Sequence, residues 1–313
     1  MKNAFRLFIC LIFFCSALVK QGYAQLPKTD KKLQQKIEEL IKDFKGTAGV
    51  YVYNLKTNKE AGVNADTIFP TASIVKVPIL VGLFDKIKKG ELKYHQPIYY
   101  RDSSKYGGSG LMQYFKDSAK TDLSVLAALM ISYSDNTTAL LNQKLAGGGA
   151  VINPLLESYG LKETKVNSKT VGRENMRSKY GWGQTTPHEM AQLLVKIRRG
   201  EVVSKAACEK MYRLMTHIYY DDYALSQIPP YVQAAAKQGM VDNSRSELVM
   251  VNAPHGDYVF YIATKNNKDQ SWKYNNEAWT LARKLSALLW HYFEPKSDWE
   301  PAQGSEKYQA EEL

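Results

Sequence analysis

Cysteine is nearly absent from this chain. Cys10, Cys15 and Cys208 are the three in 313 residues, and the first two fall in an N-terminal apolar stretch. A fold stapled by disulfides is thereby excluded, and Cys208 reads as a small packed side chain on a helix. The five histidines (His95, His188, His217, His255, His291) are isolated, with neither His-x-His nor His-Glu-x-x-His spacing, so they give no basis for a metal site. Gly147-Gly148-Gly149 lacks the Lys-Ser/Thr that completes a phosphate loop, and no cofactor is expected. The lysines are scattered, without an Arg-rich block, so the formal charge of +11 reads as surface solubility rather than a nucleic-acid footprint. No apolar run beyond residue 20 could cross a bilayer, and there is no internal repeat.

The first residues carry an export pattern. Lys2 and Arg6 precede an apolar stretch from Leu7 to Val19, and Gly22-Tyr23-Ala24 offers a small-x-small cleavage site before Gln25. Residues 1–24 are therefore expected to be a signal peptide, and the mature protein to be secreted or periplasmic, without stable membrane insertion. Membrane retention through Cys10 or Cys15 fits less well, because bulky Ile9 and Phe14 precede them. Removal takes away Lys2, Arg6 and Lys20 and no acid, leaving +8. The mature length is ample for one large or two interleaved domains.

Leu33, Ile37, Leu40, Ile41 and Phe44 recur at helical spacing, and residues 48–55 read as a strand followed by a polar turn. From Ser73 to about Gly200 the pattern is overwhelmingly helical, with segments at 74–87, 123–132, 137–145, 151–158 and 187–198. Strands return at 231–240, 246–253 and 258–265, the last two joined by the turn Pro254-His255-Gly256-Asp257, before a final helix at 276–293. The expected fold is α+β. One antiparallel sheet is assembled from residues 25–70 and 220–294, an all-helical domain at 71–219 is inserted between them, and a cleft lies where the two meet. Residues 295–313, rich in Pro, Ser, Asp, Glu and Gln, are expected to form a flexible tail. The protein is expected to be a monomer.

Chemistry enters with Ser73 and Lys76, the one Ser-x-x-Lys of the chain. Three residues apart, they share a helical face. A lysine near a helix N-terminus is disfavoured as a cation, which lowers the cost of losing its proton and fits it to deprotonate the serine. Taken alone, Ser73 reads as a helix N-cap and Lys76 as a surface lysine. Ser134-Asp135-Asn136 follows, by itself a turn or cap, and then Lys237-Gln238-Gly239.

With Phe69-Pro70-x-x-Ser73-x-x-Lys76, Ser134-Asp135-Asn136-Thr137, Thr185-Thr186-Pro187 and Lys237-x-Gly239 in order, the chain resembles the class A β-lactamase and penicillin-binding-protein superfamily over nearly its full mature length. The resemblance implies Ser73 as nucleophile, Lys76 as base and Ser134 as proton relay to the leaving nitrogen. It implies that Asn136 binds substrate and orients Lys76, and that Lys237 attracts a substrate carboxylate. Gly239 would let the backbone approach the acyl group, and the N–H groups of Ser73 and Met240 would hold the oxyanion.

Two positions depart from that pattern. Thr170 stands where the family has a glutamate that activates the deacylating water, and the nearest acid is Glu174, which could serve only if the loop is rebuilt. Gln238 replaces the Ser or Thr whose hydroxyl grips a β-lactam carboxylate. The leading expectation is a secreted serine hydrolase acting on β-lactams or related amides and esters, a small-molecule substrate, through a Ser73 acyl-enzyme. The alternatives are a penicillin-binding or peptidoglycan-directed peptidase or esterase with slow deacylation, and a non-catalytic cell-wall-binding relative.

Overall fold

The computed structural model describes residues 26–305, so the leader assigned to residues 1–24 lies outside it. In chain order the strands are β1 (Lys28–Thr29), β2 (Thr47–Asn54), β3 (Lys59–Val63), β4 (Phe69–Pro70), β5 (Pro97–Tyr99), β6 (Lys120–Asp122), β7 (Lys165–Val166), β8 (Gly183–Thr185), β9 (Ala234–Val241), β10 (Ser244–Val251) and β11 (Tyr258–Lys265). The helices are α1 (Lys31–Ile41), α2 (Lys76–Lys88), α3 (Leu123–Ser132), α4 (Asn136–Leu145), α5 (Gly149–Ser158), α6 (Glu174–Tyr180), α7 (Pro187–Arg199), α8 (Lys205–Met215) and α9 (Glu277–Phe293).

The main sheet runs β1-β3-β2-β11-β10-β9, uniting N- and C-terminal segments as the strand pattern implied. It is antiparallel apart from the short parallel pairing of β1 with β3 at one edge. Apolar layers cover both faces, which is why the second half of β10 (Leu248–Val251) and most of β11 (Tyr258–Ala263) are continuously apolar rather than alternating. On one face Leu33 and Ile37 of α1 meet Trp279, Leu285 and Leu289 of α9. On the other, Met190 and Leu194 of α7 and Met211 of α8 join a cluster that continues into α2 and α3. Helix α2 is buried all round from Lys76 to Asp85 (Val77, Ile79, Leu80, Val81 and Leu83 have no exposed surface), so it is a core element that meets solvent only in its last turn. Burying each such side chain fully stabilises the fold by about 1.5–3 kcal/mol.

Two stretches differ from the sequence expectation. Residues 89–122 are not helical; they run as short 3-10 turns with the β5–β6 hairpin, because Gly90, Pro97 and the Gly107-Gly108-Ser109-Gly110 run break helical continuity. The C-terminal stretch is held on the surface as far as Trp299, since Trp290 Nε1 donates to Ser297 Oγ (3.1 Å) and Trp299 packs on the apolar cluster that includes α9, while residues 306–313 of the expected tail lie outside the described residues.

Candidate active site

Strand β4 pairs with β8, and the chain then enters a 3-10 turn, Ala72–Val75, that runs straight into α2. Ala72 is forced to φ +42°, a conformation unusual for a side chain larger than glycine's. Ser73 does not cap α2. The N-cap position is Val75, which makes no side-chain capping bond, so the serine hydroxyl is left for another partner. That partner is Lys76, whose Nζ lies 2.9 Å from Ser73 Oγ.

Lys76 is fully buried at the uncapped N-terminus of α2. Its Nζ donates to the Ser134 carbonyl, reaches Ser134 Oγ at 3.0 Å and donates to Asn136 Oδ1 at 2.9 Å. None of these partners is a carboxylate. Burial, reinforced by repulsion from Lys237 and only partly offset by Asp135, holds the amine's proton affinity well below that of an ordinary lysine. A neutral amine 2.9 Å from a hydroxyl can take its proton.

Ser134 sits in the turn between α3 and α4 at φ +52°, the second strained residue of the site. Asp135 fixes this turn. One carboxylate oxygen caps α4 through Thr138 N (2.8 Å) and the other accepts Met112 N (2.7 Å). Met112 belongs to a loop laid over the turn, where Asn136 N donates to Ser109 O (3.0 Å) and Asn136 Nδ2 to Gly107 O (3.2 Å). The loop comes so close that a Cβ at Gly110 (φ +111°) would lie 2.3 Å from Asp135 Oδ2. The sequence reading missed this loop; its glycine run was the available signal.

Lys237, on edge strand β9, is also fully buried, and its Nζ donates to Ser134 Oγ (3.1 Å), Gln238 O (3.0 Å) and Gln238 Oε1 (3.3 Å). Burial pulls its proton affinity down to about 7, and the buried Glu247 carboxylate partly offsets this. Ser134 Oγ therefore lies within hydrogen-bond distance of both lysines. Gly239 has a use that the sequence did not indicate. A Cβ there would stand 2.4 Å from Thr71 O, so the missing side chain lets β9 press against the nucleophile turn itself. Met240 follows, half-buried, at the end of that contact.

Glu174, the acid offered for deacylation, shares no hydrogen bond with this cluster among the described residues. Thr170 faces away, its hydroxyl against Val166 O and Ser168 O beneath Gly149. Glu174 is exposed, and its carboxylate folds back on Gly172 N (3.1 Å). The loop is tied down by Arg173, which donates to Asn167 Oδ1 (2.6 Å) and Gln184 Oε1 (2.8 Å). Trp182 meets Tyr106 edge-on at 5.2 Å, linking this loop to the one over Asn136.

A sheet made from both chain ends, with Ser73 at the head of a buried helix facing an edge strand, is the β-lactamase/transpeptidase fold. Residues 32–293 match the family described as Beta-lactamase enzyme family, and the chain belongs to it. Its sequence is 21% identical over 274 residues to Beta-lactamase VEB-1 of Pseudomonas aeruginosa, covering 83% of this chain and 90% of that one. The structure of PBP-A superposes with a TM-score of 0.77 at 26% identity, covering 86% of this chain and 98% of PBP-A. A PBP-A mutant solved as an acyl-enzyme complex with penicillin G gives 0.76 at 27%, covering 86% and 99%. Among the described residues no helix is long and apolar enough to cross a membrane.

Proposed function

We propose that this protein is an exported serine acyl-enzyme that is acylated on Ser73 by β-lactams or related amides and esters and releases the acyl group slowly. The observation that carries this reading is the buried Lys76 amine, joined to both the Ser73 and Ser134 hydroxyls. Lys76 takes the Ser73 proton as Oγ bonds to the substrate carbonyl carbon. The C–N or C–O bond then breaks, and the departing atom takes the Ser134 proton, which Lys76 replaces across 3.0 Å. The N–H groups of Ser73 and Met240 hold the oxyanion, a contribution of about 2.7–4 kcal/mol per donor in such sites. Slow release follows from the exposed Glu174, since water without a general base lacks a factor of roughly 10² to 10⁴. The PBP-A mutant solved as an acyl-enzyme complex with penicillin G supports the same chemistry in a relative.

The test is intact-mass analysis with penicillin G, followed by peptide mapping. One adduct on Ser73, persisting after the free drug is removed and lost in Ser73→Ala, is the expected result. A label retained by Ser73→Ala refutes the assignment, and rapid multiple turnover refutes the slow release.

A further inference from the structure

In a pocket built to grip an anionic substrate, a cation or hydroxyl must be free to face it. Around β9 those groups are already engaged. Each N–H of Lys237, if protonated, has an oxygen partner within the protein, two of the three supplied by Gln238. The side chain of Gln238 is buried, with 1% of the residue exposed; its Oε1 serves Lys237, and its Nε2 is left without a partner, so a neutral amide donor stands where a hydroxyl would otherwise be offered.

What lies behind these two residues is also unfavourable to an anion. Gln238 is the register partner of Glu247 on β10, a buried acid that accepts Ala224 N (2.7 Å) and Leu225 N (3.4 Å). When ionised it adds negative charge near the lysine, and burial raises its own pKa to about 7, so that charge is only partly present at neutral pH. Arg245, two residues earlier on β10, gives no compensation. Its guanidinium lies over the rings of Trp272 (4.4 Å) and Trp279 (5.8 Å) and donates to Ser244 O and Ser271 O. Ser246, opposite Gly239, is spent on Gly239 O (3.3 Å). A carboxylate arriving here must displace an existing bond of Lys237 and approach Glu247, a poor exchange for leaving water.

We infer that the leaving-group side of this site takes uncharged esters and amides, and that Lys237 serves the Ser134 proton network and does not act as a carboxylate clamp. This rests on the acyl-enzyme reading above and names its substrate class. The acylation chemistry is unchanged; only the group attached to the departing atom differs.

Penicillin G and its methyl ester form a matched pair for the test, differing in the carboxylate alone. Second-order rate constants for Ser73 acylation are measured for each by intact mass, on the wild-type protein and on Gln238→Thr. The ester should acylate the wild type at least as fast as the acid, with the ratio moving towards the acid in Gln238→Thr. A charge-assisted bond to a carboxylate typically confers roughly tenfold or more. An acid tenfold faster than its ester on the wild type would therefore overturn the inference while leaving the acyl-enzyme intact. Acylation of Ser73 by neither compound would remove the acyl-enzyme reading, and this inference with it.

Discussion

Replacing Lys76 by Met separates the catalytic role of this residue from its structural cost. The unbranched side chain keeps most of the buried volume and removes the amine 2.9 Å from Ser73 Oγ. A general base contributes a factor of roughly 10² to 10⁴, so the acylation barrier should rise by about 3–5 kcal/mol. Stability should behave differently. The folded protein holds the Lys76 proton less tightly than the unfolded chain does, first because of burial and then because of Lys237. Wild-type stability is therefore lost as pH falls from the unfolded lysine value, about 10.4, towards the depressed folded value, and is flat below it. Methionine does not titrate. Its stability relative to the wild type should thus improve from about pH 10 to about pH 7. A pH-independent offset separates the curves as well, because the Ser134 carbonyl and Asn136 Oδ1 each lose a donor, at about 1–3 kcal/mol per buried group left unsatisfied. Urea denaturation at the two pH values, paired with acylation rates by intact mass, makes the measurement. A folded variant acylating at the wild-type rate would show that Lys76 is structural, and a pH-independent stability difference would refute its buried, neutral state.

Gly239→Ala places a Cβ 2.4 Å from Thr71 O, so β9 or the Ser73 turn must move; a loss of about 1–3 kcal/mol in stability and a fall in acylation are expected, and normal melting with normal acylation would refute the contact. Glu174→Gln should leave the lifetime of the penicillin adduct unchanged, because its carboxylate is exposed and bonded to its own loop; a much longer lifetime would mean that Glu174 reaches the acyl group.

The cluster of Ser73, Lys76, Ser134, Asn136 and Lys237 was legible because its spacing is set by local structure. A one-turn offset, a helix-to-helix turn and a strand each leave a short motif in the chain. The ends of α3 and β11 were readable for the same reason, since an apolar run stops at each. Glu247 was not, because its significance depends on pairing with Gln238 across two strands and on accepting Ala224 N from a distant segment. Nor was the use of Gly239, whose neighbour in space is Thr71. The deacylation loop was hardest to read. A Thr in place of an acid says what is missing, and only the folded loop reveals that Glu174 turns outward.

The two buried lysines constrain each other through Ser134. Their Nζ atoms lie 3.0 and 3.1 Å from its Oγ and so are no more than about 6 Å apart. Two full charges at that separation repel by about 3 kcal/mol at an effective dielectric of 20, roughly two pKa units. Double protonation is therefore strongly disfavoured, and the network holds one proton more readily than two. Asp135 favours keeping it on Lys76 and Glu247 favours keeping it on Lys237. Both carboxyl oxygens of Asp135 are already committed to backbone N–H groups, which spreads its charge into the α4 cap and the loop above it. Lys76 meets no carboxylate directly and stands at a helix N-terminus, where a positive charge is disfavoured. The shared proton is then held more readily by Lys237 than by Lys76, which favours a neutral Lys76 beside Ser73. On this account the residue that resembles an anion clamp acts on the nucleophile instead, by keeping its neighbour unprotonated.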